Sequence, residues 1–232
     1  MFGWYYDYYY LILVIPAMLL AMWAQMKVSS TFSRYSGVRN MRGYTGAQAA
    51  REILDRNGLQ HVQIQQVRGK LTDHFDPRTN VVSLSESVYN NTSVAAVGVA
   101  AHEVGHAVQH ATGYAPIKLR AAIIPVTNIG SRLAIPLVFL GFIMQMDMLV
   151  NFGILLFATV ALFQLVTLPV EYNASNRALE TLESTNMLAS DEMKGAKRVL
   201  SAAALTYVAA LIVAVANLLR LILIAGNRRR ND

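Results

Sequence analysis

The stretch Met148 to Val170 runs for 23 residues without a charge. As a helix rising about 1.5 Å per residue it spans roughly 34 Å, enough to cross the ~30 Å hydrocarbon core of a bilayer. Such a stretch must be buried either in a large protein core or in lipid, and the chain carries three more blocks of the same kind. Tyr8 to Met26 is uncharged and rich in Leu, Ile, Met and aromatics; with Trp4, Tyr5 and Tyr6 just before it, the cluster Tyr8, Tyr9 and Tyr10 has the look of an interfacial aromatic belt. A block that begins near Ala121 is interrupted by Arg132, runs on from Leu133 to Met146, and stops at Asp147. With Met148 to Val170 it reads as a helical hairpin turning at Gln145 to Asp147, although Pro125, Gly130, Arg132 and Pro136 make it the least regular of the four. The last block, Val199 to Leu219, continues past Arg220 to Ala225 and ends at Arg228, Arg229 and Arg230. The polar stretch of about residues 27–118 is too small to wrap four such helices, so lipid is the expected surrounding.

Composition agrees: 54% of the residues are hydrophobic and 15% charged, against about a quarter charged in ordinary soluble domains. No Lys or Arg precedes the first apolar run and no small-x-small cleavage signal follows it, so an uncleaved anchor is expected rather than a signal peptide. The net charge of +6 comes from scattered residues with no basic helix or RNA-binding signature, which argues against nucleic acid as a partner. The basic residues are read instead as topology information. Lys27, Arg34, Arg39 and Arg42 follow the first span and place the polar region in the cytoplasm by the positive-inside rule; four full spans then send the Arg-rich C-terminus outside, against the same rule.

Within the polar region, local signals predict a small α/β module. Thr45-Gly46-Ala47-Gln48 opens a helix whose apolar positions are Ala49, Ala50, Ile53 and Leu54, with Asn57-Gly58 as its stop. Val62, Ile64 and Val67 follow a strand pattern, Asp73 to Asn80 is turn chemistry, and Val81 to Leu84 is a second short strand. Ser93 is positioned to cap a long helix through Ala95, Val97, Val99 and Ala101.

That helix carries His102-Glu103-Val104-Gly105-His106. Imidazoles four residues apart lie one above the other on a helix face and offer two nitrogen ligands to one Zn²⁺, with Glu103 placed to take the proton of a water that the metal activates. The uncharged flanks (Ala100, Ala101, Ala107, Val108) suit a dry wall around a metal; two core histidines on an apolar face are the structural alternative. With no cysteine in the chain, a zinc site must be completed by His or a carboxylate. Gln109 and Thr112 occupy the positions where a metzincin has Gly and its third His. His110, one turn further on, belongs to the surroundings of the site or to the surface. Neither an intramembrane-protease Asp segment nor a second Glu-x-x-His for a di-iron bundle is present. The outstanding remaining candidate is Glu171, in Pro169-Val170-Glu171-Tyr172-Asn173-Ala174-Ser175-Asn176-Arg177-Ala178-Leu179, just past the third apolar block; an ordinary carboxylate at a membrane-exit helix is the other reading. Glu180 and Glu183 look like a solvated face.

Thr45-Gly46, Leu71-Thr72-Asp73-His74-Phe75-Asp76-Pro77, Leu84-Ser85, Ala100 to Gln109, and Glu171 to Leu179 resemble the YugP-type neutral zinc metallopeptidases of bacterial membranes, over most of the chain. That family is similar, more distantly, to the HtpX and CAAX-prenyl-protease class of membrane gluzincins. The resemblance implies peptide hydrolysis with one Zn²⁺ per chain, held by His102, His106 and Glu171, with Glu103 as general base. In the gluzincins an Asp follows the ligand Glu by four residues. Ser175 stands there in this chain, among the residues around the site, and the supporting role of that Asp is open to Asn176 or Asn173. His74 is a candidate for stabilising the oxyanion, in a context equally suited to a structural turn.

The expected architecture is a mainly α membrane protein of about four transmembrane or membrane-associated helices with a small α/β gluzincin-like metalloprotease module. Residues 1–26 form the anchor, 27–120 the catalytic module with its zinc-binding helix over 93–112, 121–170 the hairpin, 171–198 the helix with the third ligand, and 199–232 the C-terminal membrane helix and basic tail. The expected partners are protein or peptide substrates near the bilayer and membrane lipid, with the strand Val81 to Leu84 offering its edge to an extended peptide. Competing readings are a non-catalytic membrane scaffold that retains a zinc site and a zinc hydrolase of non-peptide substrates.

Overall fold

A computed structural model of the protein describes residues 7–231. Trp4, Tyr5 and Tyr6 of the expected aromatic belt, and the side chains of Arg228 to Arg230, lie outside the described residues. The chain is mainly helical. A π-helical turn, Tyr10–Val14, leads into α1 (Ile15–Ser36); α2 (Gly46–Arg56), β1 (Gln63–Val67), β2 (His74–Asp76), β3 (Val81–Ser85), a single turn α3 (Glu86–Tyr89) and α4 (Val94–Ala111) follow. Three long helices complete it: α5 (Ala115–Ile143), α6 (Asp147–Ser184) and α7 (Ser190–Asn231). Four helices among the described residues are long and apolar enough to cross a membrane: Tyr10–Ser36, Ala115–Ile143, Asp147–Ser184 and Ser190–Asn227.

The chain divides into two compact units whose boundaries fall within these helices. The first comprises 1–25, 119–168 and 206–232. Here α5 and α6 form a hairpin through a turn at which Gln145 adopts φ +54, at the position the charge pattern marks. The helix α5 runs unbroken through Pro125 and Pro136. Gly130 and Gly153 bring it close to α6, since a Cβ on Gly130 would lie 2.6 Å from the Leu156 carbonyl oxygen and one on Gly153 would lie 2.8 Å from that of Ala134. Leu19, Phe139, Leu155 and Ile222 are exposed, as lipid-facing side chains are. Arg220, the charge inside the last apolar block, donates to Asp7 at 2.5 Å and lies 5.1 Å from the Tyr10 ring centroid.

The second unit, 26–118 and 169–205, contains the main core. Thr45 and Gln48 form a full capping box at the start of α2, and Gly58 (φ +72) follows its end. Ala49, Ala50, Ile53 and Leu54 are buried along one face of α2, which packs on α4. Ser93 Oγ accepts the Ala96 N–H at 3.2 Å and caps α4. Because α4 is apolar all round, it is buried by its neighbours on most sides. The sheet order is β1-β3-β2, with β1 parallel and β2 antiparallel to β3. This corrects the expectation that the strand Val81 to Leu84 presents an edge: β3 is the central strand, its hydrogen-bonding sides are taken by β1 and β2, and the free edges belong to those two.

Candidate metal centre

Two helices of the second unit build the site. Along α4, His102 and His106 share a face, with ring centroids 4.8 Å apart. Along α6, the buried positions Val170, Glu171, Ala174, Ser175, Ala178 and Leu182 repeat at helical spacing and aim one stripe at the core, while Tyr172, Asn176, Glu180 and Glu183 face outward. At Gly105 the two helices touch backbone to backbone: a Cβ there would lie 2.7 Å from the Ala174 carbonyl oxygen and 3.2 Å from its Cα. This approach brings Glu171 Oε2 to 3.3 Å from His102 Nε2 and 3.5 Å from His106 Nε2.

These separations suit a zinc ion. Ligand atoms about 2.0–2.1 Å from a tetrahedral zinc lie about 3.3 Å from one another, and all three ligand atoms here fall within 4.8 Å. The donor set of two imidazole nitrogens and one carboxylate is chemically right for a zinc that keeps one position open. His102, His106 and Glu171 are thus positioned to bind a metal ion, the one such group among the described residues.

Each histidine is also held from behind. Ser175 Oγ lies 3.1 Å from His102 Nδ1, so the serine four residues after Glu171 reaches the imidazole. His106 Nδ1 lies 3.0 Å from Gln109 Oε1. Gln109 is fully buried, and its Nε2 donates to the Val170 carbonyl at 2.7 Å and to Asn173 Oδ1 at 3.0 Å. The other candidates are not brought to the ligands. His110 packs edge-on against Phe75, Asn176 is exposed, and His74, also exposed, bonds through Nδ1 to the Thr72 carbonyl. Sequence reasoning passed over Gln109, whose signal was its position three residues after His106 on the same helical face.

It also passed over Asp73, whose carboxylate accepts from the Ser85 N–H at 2.7 Å and from Ser85 Oγ at 3.0 Å, tying the start of β2 to the end of β3. Burial pushes the Asp73 carboxyl up from its ordinary value, against the pull of the Ser85 hydrogen bonds. Burial likewise pushes the Glu103 carboxyl up; the two histidines oppose this, while the charges of Asp73 and Glu171 add to it. For His106, burial disfavours the charged ring, but the hydrogen bond to Glu171 and the charges of Glu103 and Glu171 outweigh it and leave its pKa raised.

Residues 10–226 match a family described as "Putative neutral zinc metallopeptidase". The "Putative membrane protease YugP" of Bacillus subtilis (strain 168) is 49% identical over 221 residues, which cover 95% of this chain and 98% of that protein. No solved structure matches the chain. With a match that runs from the first apolar helix to the last, and a donor set suited to zinc, the chain belongs to the neutral zinc metallopeptidase family.

Proposed function

We propose that the protein is a membrane-embedded zinc endopeptidase in which His102, His106 and Glu171 hold the metal and Glu103 is the general base. The observation that carries this reading is the approach of Glu171 Oε2 to both histidine Nε2 atoms, at 3.3 and 3.5 Å. When bound, zinc supplies a lowered pKa for water and polarisation of the scissile carbonyl. Glu103, one residue from the first ligand and buried, accepts the proton of the attacking water and returns it to the departing amine. A carboxyl raised by burial lies nearer the operating pH and transfers protons in both directions more readily. Ala100, Ala101 and Val104 are buried in the core and anchor the helix that carries Glu103 and both histidines.

Glu171 stands one residue past the uncharged stretch 148–170, so the substrates that suit this site are membrane proteins or peptides at the bilayer surface. The basic residues after the first span favour the cytoplasmic face for the second unit. Cleavage of casein by the purified full chain, compared between wild type and Glu103→Gln, tests the assignment. The expected result is a fall of about 10²–10⁴ in rate with zinc content unchanged, the range for loss of a general base. Undiminished cleavage by Glu103→Gln would remove Glu103 from the mechanism.

A further inference from the structure

Gln109 joins both halves of the metal centre, and the hydrogen bonds around it leave a single consistent assignment of donors and acceptors. Arg177 Nε–H can only donate, and it lies 2.8 Å from the Asn173 side chain, so that atom of Asn173 is its oxygen, Oδ1. The same oxygen lies 3.0 Å from an amide atom of Gln109, which therefore has to be the nitrogen. A second contact gives the same answer independently: that Gln109 atom is also 2.7 Å from the Val170 carbonyl oxygen, which only accepts. With Nε2 fixed by two acceptors on α6, the other amide atom, Oε1, must face His106 Nδ1 at 3.0 Å. An acceptor at Nδ1 requires the proton there, so in the neutral ring that a metal takes, Nε2 carries the lone pair and turns it to the metal position.

We propose that Gln109 is a positioning residue that fixes His106 as its Nδ1–H tautomer and ties that ligand to the α6 backbone beside Glu171. Arg177 and Asn173 set the direction of the relay, and the Val170 carbonyl enforces it. The histidines are therefore supported unequally. The hydroxyl of Ser175 next to His102 Nδ1 can donate or accept, so it holds the ring without dictating its tautomer. Gln109 dictates it. The residue is fully buried and lies outside the expected ligand set, so its burial is explained by this double connection rather than by packing alone.

The inference rests on His106 being a zinc ligand. Zinc affinity is measured on the purified full chain by competition with a chromophoric chelator, alongside the visible spectrum of the Co²⁺-substituted protein and the melting temperature of the metal-free protein. Gln109→Met, close in volume but with no donor and only a weak acceptor, is expected to weaken zinc binding about 10- to 100-fold. It should also alter the Co²⁺ bands, with the metal-free melting temperature little changed. Gln109→Glu keeps an acceptor at Nδ1 and is expected to bind zinc more tightly than Gln109→Met. Wild-type affinity in Gln109→Met, or binding by Gln109→Glu weaker than by Gln109→Met, would overturn the proposal. Should Gln109→Met fail to fold, Gln109→Glu decides alone: zinc with wild-type-like Co²⁺ bands supports the relay, and loss of both overturns it. A wild-type chain that binds no zinc would instead defeat the assignment of the metal centre.

Discussion

In the proposed site four side chains carry the chemistry, and their environments differ in ways that would divide the labour. Glu171 and Glu103 are both buried carboxylates, but only Glu171 sits against two imidazole nitrogens. Burial raises the Glu103 carboxyl above its ordinary value, which suits the proposed acid–base role, while Glu171 is paired, which suits the proposed ligand role. A serine, Ser175, stands four residues after Glu171, where the resemblance to membrane gluzincins leads one to expect an Asp. Its hydroxyl still reaches His102 Nδ1, so the ring remains supported, but without the charge that a carboxylate would add to the imidazole's basicity.

At the scale of elements, the site depends on how closely α4 and α6 approach, and Gly105 sets that distance. Adding one methyl group tests this. Gly105→Ala places a carbon against the Ala174 backbone, where nothing can rotate away, so the helices must separate and Glu171 must retreat from the histidines. Overpacking of this kind costs about 1–3 kcal/mol, and zinc affinity should fall with it. Gly98→Ala in the same helix is the control. Its Cβ would meet the Ala196 Cβ at 3.4 Å, an ordinary contact, and the gain in helix propensity makes it neutral or stabilising. Thermal unfolding and zinc titration of the pair check this; equal effects would show that the crossing is not the sensitive point. The capping residues Thr45 and Ser93 and the turn at Gln145 were legible in the sequence because each acts within a few neighbouring residues. The central place of β3 was not, since strand order is set by pairing across the chain. Nor was the role of Gln109: its spacing puts it on the face of His106, but its partners Val170 and Asn173 lie 61 and 64 residues away. The His pair was legible from periodicity, and Glu171 from its place after an apolar run together with the family resemblance.

At the scale of the whole molecule, four apolar helices and a zinc-peptidase match over residues 10–226 describe a membrane metallopeptidase family member. Within the first unit, the pairing of Asp7 with Arg220 sets the start of the first apolar helix beside the final part of α7. The proposed orientation puts the loop around Lys70 in the cytoplasm. Lys70→Cys, introduced into this cysteine-free chain, should resist an impermeant maleimide in intact cells and react after permeabilisation; labelling of intact cells would reverse the topology. In the proposed site one zinc is shared between α4 and α6. The most direct measure of this sharing is the zinc content of the purified full chain and of Glu171→Ala, by mass spectrometry of the metal. About one zinc per chain in the wild type, and its loss in Glu171→Ala, is the predicted result. A full complement of zinc in Glu171→Ala, bound as tightly as in the wild type, would contradict it.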